Sequence, residues 1–83
     1  MKVEKLKINE TFVWLTLDQL KMYSEDLAVI STINKFLCYF SLSEPTIFHG
    51  ELLIDENKKP IIFDSEHSAI EYAKTEILKR FKN

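Results

Sequence analysis

Polar and hydrophobic positions alternate at the start of the chain. In Lys2-Val3-Glu4-Lys5-Leu6-Lys7-Ile8, Leu6 and Ile8 share one side of an extended segment and lysines occupy most of the rest. This is the pattern of a short edge strand protected by charge. Asn9-Glu10 reads as a tight turn. Thr11-Phe12-Val13-Trp14-Leu15 has the β-branched and aromatic composition of a second strand packed on both faces. A helix opening at Asn9, with Ile8 and Val13 as its hydrophobic staple, is the competing assignment.

The period then changes. Thr16-Leu17-Asp18-Gln19 matches a capping box, in which the Thr16 hydroxyl accepts from the Gln19 amide and the Gln19 side chain returns to Thr16. A helix is predicted to start there, with Leu17, Leu20 and Tyr23 inward. Ser24-Glu25-Asp26 supplies a second helix start, a capping serine followed by two acids at the positive end of the helix dipole. Leu27, Ile30, Ile33, Leu37 and Phe40 recur at helical spacing, with Ser31, Asn34, Lys35 and Cys38 as a thin polar stripe. The spacing predicts a helix from about Ser24 to Ser41, buried on most of its circumference and central to the packing.

Glu44-Pro45 ends that run. Thr46 to Ile54 and Pro60-Ile61-Ile62-Phe63 read as the arms of a hairpin around the polar turn Asp55-Glu56-Asn57-Lys58-Lys59. Asn57 is the residue suited to a left-handed backbone. Pro60, lacking an N–H, should open the second arm. Asp64-Ser65-Glu66 caps a last helix whose inner stripe is Ile70, Ala73, Ile77 and Phe81, helped by Ala69 and Leu78. Lys74, Lys79, Arg80 and Lys82 suit its C-terminal dipole. The predicted order is ββ-α(α)-ββ-α. It describes an α+β, small two-layer domain: a three- to four-stranded, mostly antiparallel sheet packed against two or three helices.

Length and composition agree with one domain over residues 1–83. Apolar residues make up 46% of the 83, among them six Phe, three Tyr and Trp14. That density is needed, because a chain this short buries only about 60–65% of the surface its unfolded form exposes. The single cysteine, Cys38, cannot close an internal disulfide. No apolar run reaches the length of a membrane span or a signal-peptide core, so a cytoplasmic location is expected. The dominance of Lys over Arg, with abundant Ile, suggests an AT-rich bacterial or phage source.

The side chains that could carry chemistry are sparse. His49, Glu51 and His67 can be drawn as a metal trio, but their spacing is diagnostic of no metal, and surface histidines account for them. Cys38 lies in a segment that reads as buried, where a lone cysteine acts as a small hydrophobe. Gly50 alone cannot build a phosphate-cradling loop. Asp55 and Glu56 occupy a polar turn where solvent keeps carboxylates ordinary. No enzyme activity, metal or cofactor is expected.

Docking to another protein is therefore the expected function, as for a small bacterial or phage regulator or inhibitor. The formal charge of −2 is unevenly spread: residues 44–76 carry eight acids against Lys58, Lys59 and Lys74. Glu51, Asp55, Glu56 and Glu71 are the candidate contacts to a partner with a basic surface, and Trp14 and Phe48 the aromatic anchors. Turn and helix-cap chemistry explains much of the same acidity. Two alternatives stand beside this one. A nucleic-acid-associated regulator would use Lys2, Lys5 and Lys7 with Lys74, Lys79, Arg80 and Lys82, although the acidic balance argues against it. A homo-oligomeric structural protein is the other.

Overall fold

The computed structural model describes residues 2–46 and 50–81. Four strands precede one helix: β1 (Lys2–Ile8), β2 (Thr11–Ser24), β3 (Val29–Ser41), β4 (Glu51–Leu52) and α1 (Glu66–Phe81). The strands form one antiparallel sheet in the order β1-β2-β3-β4, a meander, with α1 against one face. The class is α+β, as predicted.

The N-terminal hairpin follows the predicted pairing. Ile8 faces Thr11 across a two-residue turn in which Asn9 and Glu10 both have positive φ, 48° and 68°. That backbone matches the right-handed twist of the flanking strands.

The predicted helices over residues 16–41 are absent, and a single helix stands among the described residues where two or three were expected. The segment forms the second half of β2, the loop Glu25–Ala28 and all of β3. The period-2 pattern is the one that governs. Val13, Leu15 and Leu17 on β2 join Phe36, Cys38 and Phe40 on β3 to fill the helix-side face. Leu37, Tyr39 and Ser41 fall on the opposite face. Thr16 does not cap a helix. It lies buried in the sheet between Val3 and Tyr39, and its hydroxyl has no hydrogen-bond partner among the described residues. The acids of Ser24-Glu25-Asp26 lead the turn between strands rather than a helix.

The fourth strand is interrupted. Leu53 N–H donates to Cys38 O at 2.9 Å, and Phe63 exchanges two 2.9 Å backbone bonds with Phe36. Between these pairings the ladder has room for one residue opposite Leu37, yet residues 54–62 intervene. They bulge out as the predicted turn. Ile54 and Pro60 form a bridge, Asp55 N–H donates to Lys59 O, and Asp55 Oδ1 accepts from the amides of Asn57 (2.8 Å) and Lys59 (3.0 Å). Pro60 sits at the base of the second arm, as expected. The left-handed position falls on Lys58 (φ 63°), one residue after Asn57. The expected strand from Thr46 is reduced to Glu51–Leu52, with residues 47–49 outside the described set.

The predicted cap of α1 forms. Ser65 Oγ accepts from Ser68 N–H at 3.1 Å. Ala69, Ala73 and Ile77 are buried against the sheet with Ile70 beside them, and the two alanines let the helix approach closely. Leu78 is exposed instead of joining this stripe; the Phe81 side chain and Lys82 lie outside the described residues. Polar ties fix the helix at both ends. Lys2 bridges to Glu66 at 2.8 Å, and that bond, with Glu4, holds its ammonium charged above the usual lysine range. At the other end Arg80 lies 4.8 Å from the Phe40 ring and 3.3 Å from Glu51.

Candidate binding surfaces

The acidic residues singled out in the sequence are mostly engaged locally. Glu51, on β4, is engaged by Arg80. The Asp55 carboxylate closes its own turn. Glu56 stands beside it in the exposed loop, and Glu71 on α1 lies 3.6 Å from Lys74. With cations against Glu51 and Glu71, the field over this half of the molecule is weaker than the charge count suggests. Trp14 is half-buried on the sheet face opposite α1, and Phe48 lies outside the described residues.

On that same face Lys5 Nζ sits 4.3 Å from the Phe12 ring centroid and 5.3 Å from that of Trp14, with Lys7 at 5.9 Å from Phe12. The lysines occupy ring faces on which a base would stack, so this strip is self-satisfied. Beside the turn at Asn9, Leu6, Lys7 and Ile8 meet Lys74 and Leu78 in an open groove of about 490 Å³. Lys7 and Lys74 both border this groove, but the Lys7 ammonium lies towards Phe12 on the other face of the sheet. Lys74 is held by Glu71, and neighbouring Lys79 by Glu76.

The groups considered for chemistry have settled environments. Burial pushes the Cys38 thiol up to about 12, so it stays protonated and unreactive in the folded chain. His67 is exposed near the start of α1, and His49 lies outside the described residues. Among the described residues no three His, Cys, Asp or Glu side chains are grouped to hold a metal ion, and no helix is long and apolar enough to cross a membrane.

One further surface is built largely from residues that the sequence pattern assigns to the core. β1 covers β2 only as far as Leu17, and the fourth strand reaches down β3 only to Phe36. Beyond these points β2 and β3 continue alone as a two-stranded arm. The molecule measures 52 × 28 × 20 Å, and its radius of gyration of 14.3 Å exceeds the roughly 12 Å of a compact domain this size. At the root of the arm the register slips between Gln19 and Lys21, and the Gln19 amide fills the irregularity by donating to Ile33 O. Towards the tip Tyr23 faces Ile30 on one side of the ribbon, and Met22 and Val29 lie on the other. Met22 is 58% exposed, Tyr23 60%, Ile30 69% and Leu27 73%.

An isolated two-stranded ribbon is marginal in water, and this one leaves apolar side chains in solvent on both faces. Sequence reasoning misses the arm because its apolar content resembles that of a buried helix. Two signals could have found it. Ser24-Glu25-Asp26 is a polar dip between two apolar runs, and Val29-Ile30-Ser31-Thr32-Ile33-Asn34 is an uncharged, mainly β-branched stretch without Pro or Gly. Compared with protein families, curated proteins and solved structures, the chain matches none.

Proposed function

We propose that this chain is a small, non-enzymatic protein-binding module, a regulator or inhibitor that works by docking, with the β2–β3 arm as its docking element. The observation that carries the proposal is the arm itself. Its apolar side chains stand in water on both faces of a ribbon with no third strand along either side among the described residues. A partner would give this ribbon both a neighbouring strand and a cover. Large exposed rings and methionines are residues on which interface energy concentrates, and Tyr23 and Met22 are of that kind. The inert thiol of Cys38 and the solvated, locally paired carboxylates support a role without catalysis. A lone cysteine is compatible with a cytoplasmic setting.

The test is affinity capture from the host lysate with the wild type and a Met22→Ser, Tyr23→Ser, Ile30→Ser variant. These positions are solvent-exposed, so the body should keep its helix signal and unfolding midpoint. Loss of the captured protein with the fold retained is the expected result. Undiminished capture by the variant would remove the arm from the interface.

A further inference from the structure

Resting on the arm as a docking element, we infer that its partner is a second copy of the chain, joined by antiparallel pairing of the two β3 edges along Val29–Lys35 across a two-fold axis at Thr32. Among the described residues the sheet has outer edges on β1 and on the two-residue β4, and two more along the arm; the β4 edge is too short to template a partner strand, and the other three are not equivalent. The β1 edge carries Lys2, Glu4, Lys5 and Lys7, the charges with which proteins block edge-to-edge association. The β2 side of the arm carries Asp18 and Lys21. Two-fold antiparallel pairing there, centred on the arm, would set Lys21 against its own counterpart, and like charges directly opposite are destabilising. The β3 side carries its one charge, Lys35, only at the root. From Val29 to Asn34 it has no charge, no proline and no glycine, the composition that pairs most readily with itself.

Self-complementarity follows from the register. Centred on Thr32, antiparallel pairing places Thr32 opposite Thr32, Ile33 opposite Ser31, Ile30 opposite Asn34 and Lys35 opposite Val29. Threonines facing one another across strands are a favourable pair. Lys35 then approaches the Glu25-Asp26 tip of the other arm, so a cation meets acids there. Because Lys35 already holds Asp64, this contact contributes more to orientation than to affinity. The joined arms make a four-stranded ribbon with Tyr23 and Ile30 of both copies on one face, past the size at which a sheet with a hydrophobic face becomes stable. Pairing covers the edge backbone and the flanks of Val29 and Ile30 but leaves Met22 and Tyr23 of β2 on the faces of the ribbon, so it buries less than the roughly 800 Å² per partner of a standard interface and makes a weak dimer. An isologous pairing of this kind closes on itself and leaves no growing end.

The experiment is light scattering on the full chain from low micromolar to submillimolar concentration, for the wild type, Thr32→Lys, Thr32→Glu and an equimolar mixture of the two variants. The wild type should pass from 9.8 kDa towards twice that mass. Each variant alone should dimerise at least about tenfold more weakly, because its charges face each other across the axis. The mixture should recover the dimer, since Lys then faces Glu. Far-ultraviolet circular dichroism establishes that the variants keep the fold; should either unfold, amide exchange of Val29–Asn34 in the wild type, slowing with concentration, carries the same test. A wild type monomeric throughout, or a dimer indifferent to both variants, would overturn the second copy as occupant. If lysate capture still depends on Met22, Tyr23 and Ile30 in that case, the docking role of the arm stands with a different protein as its partner.

Discussion

The side-chain amide of Gln19 donates a 3.0 Å hydrogen bond to the carbonyl of Ile33, at the one place where β2 and β3 fall out of register. The bond stands in for regular ladder pairing at the irregularity and ties the root of the arm to the body. Gln19→Leu should destabilise the chain by about 1 kcal/mol, the usual net value of such a bond. The effect should be local. Amide exchange should accelerate over residues 22–31 and remain unchanged for Leu15, Leu17 and Cys38. Equal acceleration throughout would mean that arm and body open as one unit.

Gly50 is the only glycine in the chain, and it lies where no other residue fits. Its φ is 105°, and a Cβ built there would stand 2.1 Å from the carbonyl oxygen of Phe40. Relieving that clash requires Glu51 and Leu52 to leave β3. Gly50→Ala should therefore cost about 2–4 kcal/mol, a large part of the stability of a small domain. Urea unfolding checks this. A midpoint within error of the wild type would mean that β4 shifts freely.

Those two positions illustrate what a sequence can and cannot disclose. The cap at Ser65, the inward Ala69, Ala73 and Ile77, and the Asp55 turn are legible because each depends on residues within a few positions of one another. The stretch from Thr16 to Ser41 is not. Leu27, Ile30, Ile33 and Leu37 satisfy helical spacing, while Phe36, Cys38 and Phe40 satisfy the strand period. Only the long-range pairing with Val13, Leu15 and Leu17 decides between them. Periodicity also presumes that apolar residues are buried by their own chain. Ile30 and Leu27 break that assumption, so the arm mimics core. The acidic excess is legible as composition, but the ion pair of Glu51 with Arg80 depends on a fold that brings α1 back across β4.

Cys38 should make the fold sensitive to alkali. The folded thiol keeps its proton up to about 12, whereas an ordinary thiol loses it near 9.0, because burial opposes the thiolate. The native state therefore binds more protons above that point, and stability, full below pH 9.0, falls as pH rises towards 12. The limiting slope is about 1.4 kcal/mol per pH unit. Cys38→Ala should lower stability at neutral pH through the cavity it leaves but should unfold with a flatter pH dependence between about 9 and 11. Parallel profiles for the two proteins would assign the alkaline destabilisation to other groups. Reaction with a thiol reagent should be slow in buffer and fast in urea.

Thr16 offers the opposite kind of change. Its hydroxyl is buried between Val3 and Tyr39 without a hydrogen-bond partner among the described residues. Thr16→Val keeps the shape, removes an unsatisfied polar atom and suits a strand. It should be neutral or raise stability by about 1 kcal/mol, read from the unfolding midpoint. A clear decrease would mean that the hydroxyl has a partner in solution.

The excursion at residues 54–62 fills a gap in the ladder that one residue could span, and the hydrogen bonds that close its tip, those of Asp55 with Asn57, Lys58 and Lys59, are its own. The sheet on either side is held by Leu53 on Cys38 and Phe63 on Phe36, whatever lies between. The chain can accordingly be cut, lengthened or decorated around Asn57 with little disturbance to the body. That site is a natural point for grafting a peptide epitope, attaching a fluorophore or joining new termini, on a small scaffold whose arm begins just beyond Phe36.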